Sequence, residues 1–232
     1  KPMGQSSKDL AHIASELARA GFDIVKDDHS LSNQSWARWS ERVETIARAV
    51  AESNARYGTH CVYCPSLNLP ANQILDAAHR AKEFGAGALL MLPGITGFDS
   101  MRMVAADSSL GLPIQAHPSM LGSMLMNPTQ GIDHGVLLGT LIRLAGADIS
   151  IFPNIGGRFS FTQEQCLSIA EKSRAELGDM KKMWIAPSGG MSLERIPDMI
   201  SMYGKDVALL IGGALYRGDI YTNAKAMVDL VN

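Results

Sequence analysis

The feature that most constrains the fold is a repeated alternation along the chain, in which short apolar runs are separated by longer segments with apolar residues three and four apart. The runs fall at residues 22–26, 60–65, 88–92, 113–117, 149–152, 183–187 and 207–211. The intervening segments carry helical stripes such as Leu10, Ile13, Leu17 and, further on, Val43, Ile46, Ala47, Val50. Strand-length runs alternating with helix-length segments build a parallel sheet covered by helices. At 232 residues, with 46% apolar and 19% charged side chains, the chain has the size and core material of one domain. Spacing alone suits either a closed (β/α)8 barrel or an open doubly wound sheet. The position of the polar residues favours the barrel, because they follow the C-terminal ends of several different runs. Seven runs leave a barrel one strand short, and the expectation is that an eighth ends at Lys1.

Charge and composition exclude several classes of partner. The formal charge is -2 and no Lys/Arg cluster forms, so nothing draws this chain to nucleic acid. The longest apolar runs are too short to span a bilayer as a helix. The three cysteines, Cys61, Cys64 and Cys166, are odd in number and sparse, unlike a secreted disulfide framework, and a cytoplasmic location is expected.

Four ionisable or polar residues, Lys26-Asp27-Asp28-His29, end the first run. Crowding them at the edge of a buried sheet is costly unless something such as a divalent cation organises them. Period-2 alternation puts Lys26 and Asp28 on one side and Asp27 on the other. A solvated turn with a Lys–carboxylate pair is the plain alternative. His117 ends its run and could act as acid, base or substrate ligand, or make a simple polar contact. Ser188-Gly189-Gly190 and Gly212-Gly213 follow the last two runs, where bare backbone N–H groups can cradle a phosphate. The segment Asn154-Ile155-Gly156-Gly157-Arg158 combines a hinge with a cation, the makings of a lid over an anion or of an exposed loop. Cys61 and Cys64 have redox or zinc spacing but lie inside a run and lack a second pair, so they are read as core. His134, within a helical segment over 131–144, is read as packing or capping.

These residues, in this order and over nearly the whole chain, resemble the C-terminal catalytic barrel of the RuBisCO large chain, and especially that of the RuBisCO-like proteins that do not fix carbon. The most specific piece is Gly21-Phe22-Asp23-Ile24-Val25-Lys26-Asp27-Asp28. It is similar to the family segment whose Lys is carbamylated by CO2 and then binds Mg2+ beside the second Asp. The resemblance implies a single α/β barrel over 1–232, of TIM (β/α)8 type, and an N-terminal α+β domain absent from this chain. It also implies a proton-transfer role for Lys1, an active-site His at His117, and Arg158 at the place of the loop-six Lys. Phosphate-binding backbone is implied at Ser188, Gly189, Gly190, Gly212 and Gly213. The functional unit is implied to be a homodimer or a higher assembly of dimers.

Departures from the pattern narrow the chemistry. His29 stands where the family has a Glu as third metal ligand, so either His29 is a ligand for Mg2+ or another divalent cation, or it moves protons beside a metal-bound water. Pro118 replaces an Arg that grips a second phosphate, Ile151 replaces a phosphate-contacting His, and Met3-Gly4-Gln5 replaces a lysine. Together these argue against carboxylation and for a small sugar substrate with one phosphate. The expected activity is metal-dependent enolisation, of isomerase or enolase type, with catalytic roles for Lys1, Lys26, His29, His117 and Arg158. Two alternatives stay open: decarboxylation of a phosphorylated 3-oxo sugar acid of the 3-oxo-isoapionate 4-phosphate type, and a non-catalytic barrel that binds a metabolite or partner.

Overall fold

The computed structural model of the chain describes residues 3–127, 129–156 and 161–231. Lys1 and Arg158, two of the expected catalytic residues, lie outside them, as does Gly157. The chain divides into two compact units, one made of Met91–Ser108 and Pro113–Gly212, the other of the remaining described chain.

The first unit opens with helix α1 (Ser7–Ala20), whose start and stop are written locally. Ser6 and Asp9 form a capping box, and Gly21, at φ 97°, ends the helix in the left-handed conformation that costs glycine least. Strand β1 (Ile24–Lys26) follows, then helix α2 (Trp39–Tyr57), strand β2 (Val62–Cys64) and helix α3 (Ile74–Glu83). β1 and β2 are parallel, in a register that sets Lys26 against Cys64. Buried Leu10, Ala14 and Leu17 of α1 and Val43, Ile46 and Val50 of α2 are the stripes seen in the sequence, and they make the apolar layer of this unit. Strand β3 (Leu89–Met91) continues the pattern through a bridge between Ser66 and Leu90. Gly87 is required just before it, because a Cβ there would sit 2.6 Å from that of Val62.

In the second unit come helices α4 (Pro93–Thr96) and α5 (Phe98–Ala106), strand β4 (Ile114–Ala116), helix α6 (Gly122–Leu125), a π-helical stretch over Val136–Leu141 running into α7 (Ile142–Leu144), strand β5 (Ile149–Pro153), helix α8 (Gln163–Arg174), strand β6 (Trp184–Ser188) and helix α9 (Ile196–Tyr203). β4, β5 and β6 are parallel, and the His117 N–H donates to the Met91 carbonyl at 2.8 Å. The π-helical widening lies where Gly139 packs against α8, so closely that a Cβ would come 2.7 Å from that of Lys172. Arg143, though only 2% exposed, spends its guanidinium on the carbonyls of Ala175, Met180 and Lys181 and so pins the connection from α8 to β6. Helix α10 (Ile220–Val231) belongs to the first unit and packs on α1.

Six of the seven expected strands form. The seventh run, 207–211, does not: it meets β6 through a bridge between Ile185 and Val207 and a 2.8 Å hydrogen bond from the Ala208 N–H to the Ile185 carbonyl. Its residues are only half-buried. Apolar composition makes a strand only where a neighbour supplies hydrogen bonds along its length, and one bridge is not enough. Among the described residues no helix is long and apolar enough to cross a membrane.

Candidate functional site

In the first unit, the tip of β1 brings together three of the expected residues. The ladder with β2 extends one step beyond the strand, with the Asp27 N–H donating to the Cys64 carbonyl at 3.0 Å. That step fixes the alternation: the Asp27 carboxylate turns into a buried polar network, and half-buried Lys26 and buried Asp28 lie with Asp27 along a small cavity of about 60 Å³. A water needs roughly 10 to 15 Å³ of such space, so there is room for a small hydrated group. Apolar side chains of α1, Val25, Leu31 and Ile46 form much of the remaining wall, and Tyr63 and Tyr216 complete it.

The charges at this tip are held in defined states. The Lys26 ammonium donates to the Asp27 carbonyl at 3.0 Å. Burial of Asp28 would by itself raise its pKa, but the Ser30 hydroxyl and the Ser30 N–H, 3.0 Å away, both donate to Oδ1 and hold the carboxyl at about 2. Asp28 is therefore an anion across the physiological range. His29 Nδ1 stands 3.7 Å from the same oxygen. Burial, and then the Asp28 charge, push the Tyr216 phenol up, so it stays a neutral hydroxyl. Tyr216 was not foreseen, because a turn tyrosine 188 positions from Asp28 carries no local signal.

Do these residues suit a metal? Among the described residues no three His, Cys, Asp and Glu side chains gather into a metal-binding group. A cation at the β1 tip would have Asp28 and His29 as donors, and a third donor requires the chemistry of Lys26. An amine carbamylated by CO2 becomes an oxygen-donor anion, and Lys26 lines the same cavity as Asp28. The donor set fits a hard divalent ion on that condition.

The second unit holds His117, Ser188, Gly189, Gly190 and Gly212, and Gly213 begins the last stretch of the first. His117 Nδ1 accepts the Ser119 N–H at 3.2 Å and lies 2.8 Å from the Ser119 hydroxyl. Accepting a backbone donor at Nδ1 places the proton of neutral His117 on Nε2. The loop that does this rests on Gly94, where a Cβ would overlap the Ser119 carbonyl. At the end of β6, the Ser188 hydroxyl donates to the Phe152 carbonyl at 3.0 Å, and exposed Gly189 and Gly190 follow with φ of 87° and 67°. Two successive positive-φ glycines leave the backbone N–H groups of this turn without side chains over them. Gly212 and Gly213 begin the chain that leads into the short turn Gly213–Tyr216.

A second feature escaped the sequence reading. Arg195 donates to the Ile155 carbonyl at 2.6 Å and the Gly190 carbonyl at 3.2 Å, tying the segment after β5 to the glycine turn after β6. Fully buried Asn154 accepts the Tyr203 hydroxyl at 2.7 Å, so the start of the expected lid is bolted to α9. The core reading of Cys61 and Cys64 holds: both are buried, as is Cys166, and burial pushes the Cys61 thiol up to about 12 and the Cys64 thiol up as well. His134 packs edge-on against Phe161 with ring centroids 4.5 Å apart, as a packing residue should.

Comparison with known proteins supplies the family. The one described as ribulose bisphosphate carboxylase large chain, catalytic domain, matches residues 1–227. The chain is 36% identical over 215 residues to 5-methylthioribulose-1-phosphate isomerase of Rhodospirillum rubrum, covering 93% of this chain and 56% of that protein. It is 31% identical over 216 residues to 2,3-diketo-5-methylthiopentyl-1-phosphate enolase of Geobacillus thermodenitrificans, covering 92% of this chain and 52% of that protein. The crystal structure of a Rubisco-like protein from Rhodopseudomonas palustris superposes with a TM-score of 0.90 at 34% identity, covering 100% of this chain and 62% of the other. The chain thus spans little more than half the length of the curated relatives it matches. The structural likeness gives the fold as the α/β barrel expected from the sequence. On fold, motif and relatives together, this chain belongs to the ribulose bisphosphate carboxylase large-chain family, as a catalytic domain of the RuBisCO-like kind.

Proposed function

We propose that this chain carries the catalytic face of a RuBisCO-like enzyme that enolises a sugar, or sugar-derived ketone, bearing one phosphate, and that it does not fix CO2. The observation that carries the reading is the β1 tip, where Lys26 and an Asp28 held as an anion share one cavity. The relatives named as a methylthioribulose-phosphate isomerase and a diketo-methylthiopentyl-phosphate enolase support it, since both names describe moving a proton next to a carbonyl. Removing a proton from carbon beside a carbonyl leaves negative charge on oxygen, and the reaction is fast only where a fixed positive charge awaits it. A Mg2+ or similar ion bound by Asp28 and a Lys26 carbamate, with His29 or water as third ligand, would supply that charge.

The remaining roles are assigned to the chain itself. Lys1, His29 or His117 moves the proton, and His117 is suited to donate from Nε2 because Ser119 occupies Nδ1. Ser188, Gly189, Gly190, Gly212 and Gly213 hold the phosphate through backbone N–H groups, and Arg158 neutralises it. Pro118 and Ile151, neither of which offers a side-chain charge, leave a second phosphate without a partner. We read the working form as a homodimer or larger assembly, which light scattering of the full-length protein tests: an active monomer contradicts it.

The test of function is proton exchange. Each of the two methylthio-sugar phosphates named above, incubated in D2O, is expected to take up deuterium next to its carbonyl without release of CO2. A phosphorylated 3-oxo acid that loses labelled CO2 instead, with no exchange of either ketone, would make the protein a decarboxylase. Tight binding of these phosphates with neither reaction would make it a binding barrel.

A further inference from the structure

The side chain between Lys26 and Asp28 is the best-anchored carboxylate among the described residues. Asp27, 4% exposed, accepts Arg42 Nε at 3.2 Å and the Ser66 N–H at 3.1 Å on Oδ2, and the Tyr63 hydroxyl at 2.8 Å on Oδ1. Arg42 has no exposed surface, and its Nη1 donates to the carbonyls of Ser32 at 3.0 Å and Ala37 at 2.9 Å. Trp39 Nε1 donates to the Ser66 carbonyl at 2.9 Å. One guanidinium therefore joins the tip of β1 to the 30–37 loop, while Asp27 joins both to the end of β2. Asp27 and Tyr63 reach the cavity wall, whereas Arg42 does not line the cavity.

Burying an ion pair rarely adds stability over a packed apolar substitute, so its presence asks for another reason. The alternation of the backbone supplies one. Lys26 and Asp28 flank Asp27, and with the middle carboxylate held by Arg42, Tyr63 and Ser66 the flanking two are committed to the opposite side of the strand. The same loop carries Ser30, whose two donations define Asp28.

We propose that Arg42 is a positioning residue for the Lys26–Asp28 pair: by holding Asp27 and the 30–37 loop in one grip, it sets the direction and spacing of the two groups that would carry the cation. This rests on the proposed function of that pair. Outer contacts of this kind change metal affinity about 10- to 100-fold when removed.

The test uses the full chain in three forms besides wild type: the charge-neutral pair Asp27→Asn with Arg42→Gln, Arg42→Lys, and Tyr63→Phe. Mn2+ binding in bicarbonate is followed by electron paramagnetic resonance, and amide hydrogen exchange reports on residues 27–37. The pair variant should bind Mn2+ about 10- to 100-fold more weakly in its folded fraction, with exchange accelerated in 27–37 and unchanged in α1. Arg42→Lys should also weaken binding, because one ammonium cannot reach Asp27, Ser32 and Ala37 together. If the pair variant does not fold, Arg42→Lys decides, with an expected loss of about 3-fold or more, and Tyr63→Phe, which leaves the Arg42 contacts in place, is the control. Mn2+ affinity within about twofold of wild type in the deciding variant overturns the proposal. Should wild type itself bind no Mn2+, the cation reading of the site fails, and the positioning role is then judged by exchange alone: acceleration confined to 27–37 upholds it, and unchanged exchange overturns it.

Discussion

The tips of β1 and β6 are built from different materials. At the tip of β1 the side chains do the work: an anion at Asp28, an amine at Lys26, and a buried Asp27–Arg42 pair underneath. The tip of β6 works through the backbone, where Gly189 and Gly190 in left-handed conformations expose N–H groups that no side chain covers. Charge that must appear during a reaction needs tunable groups, whereas a phosphate that keeps its charge throughout needs only fixed dipoles. Substitutions at β1 should therefore damage turnover, and those at β6 should damage binding.

The largest effect is expected from Lys26→Ala. Without the amine no carbamate forms, and turnover of the enolising reaction should fall by about 10²- to 10³-fold or more, with little change in thermal midpoint, measured by deuterium uptake and calorimetry. Retained turnover would remove the distinction between the two tips. Gly189→Val should show the opposite balance. Forcing a β-branched residue to φ 87° costs about 1 to 2 kcal/mol of stability, and steady-state kinetics should show KM rising about 10-fold while kcat moves little. A loss confined to kcat would mean that this turn serves chemistry instead.

A stability measurement sharpens the contrast at Asp28. Its pKa falls from 3.8 to about 2 on folding, so it contributes stability above pH 3.8 that is lost as pH falls through about 2. Discounted for solvent screening, the contribution is on the order of 1 kcal/mol. Urea titrations of Asp28→Asn should lack the part of the acid destabilisation that wild type shows between these values. The smallest effect belongs to His134, where burial lowers the pKa from 6.5 despite nearby Asp133. Unfolding lets it take up a proton sooner, so wild type loses a little stability as pH falls below 6.5. His134→Leu should flatten that slope, change stability by less than about 1 kcal/mol and leave turnover intact, since Nε2 is buried with no hydrogen-bond partner among the described residues.

The two tips also differ in how far they could be read from sequence. Gly189-Gly190 and Lys26-Asp27-Asp28-His29 announce themselves because each is contiguous and each follows an apolar run. The six strands that formed were legible for the same reason: strand length and spacing are local properties. What organises each tip was not. Arg42 reads as one more charge on an amphipathic helix, and its burial is visible only when α2 is laid against β1 and β2. Tyr63 looks like a strand aromatic, Tyr216 like a loop residue, and Arg195 like the solvated end of a turn. Each acquires its role through a partner 15 to 188 residues away, a distance over which pattern carries no information. The 207–211 run failed from the other side, since its local pattern was strand-like and the missing ingredient was a neighbour along its length.

The chemistry proposed for the β1 tip turns on what Lys26 becomes. Carbon-13 NMR of the full chain in 13C-bicarbonate with Mg2+ tests this directly. A carbamate resonance that appears in wild type, sharpens on adding Mg2+ and is absent from Lys26→Ala is the predicted result. A wild-type protein that binds Mg2+ at the β1 tip and enolises its substrate with no such resonance would contradict it.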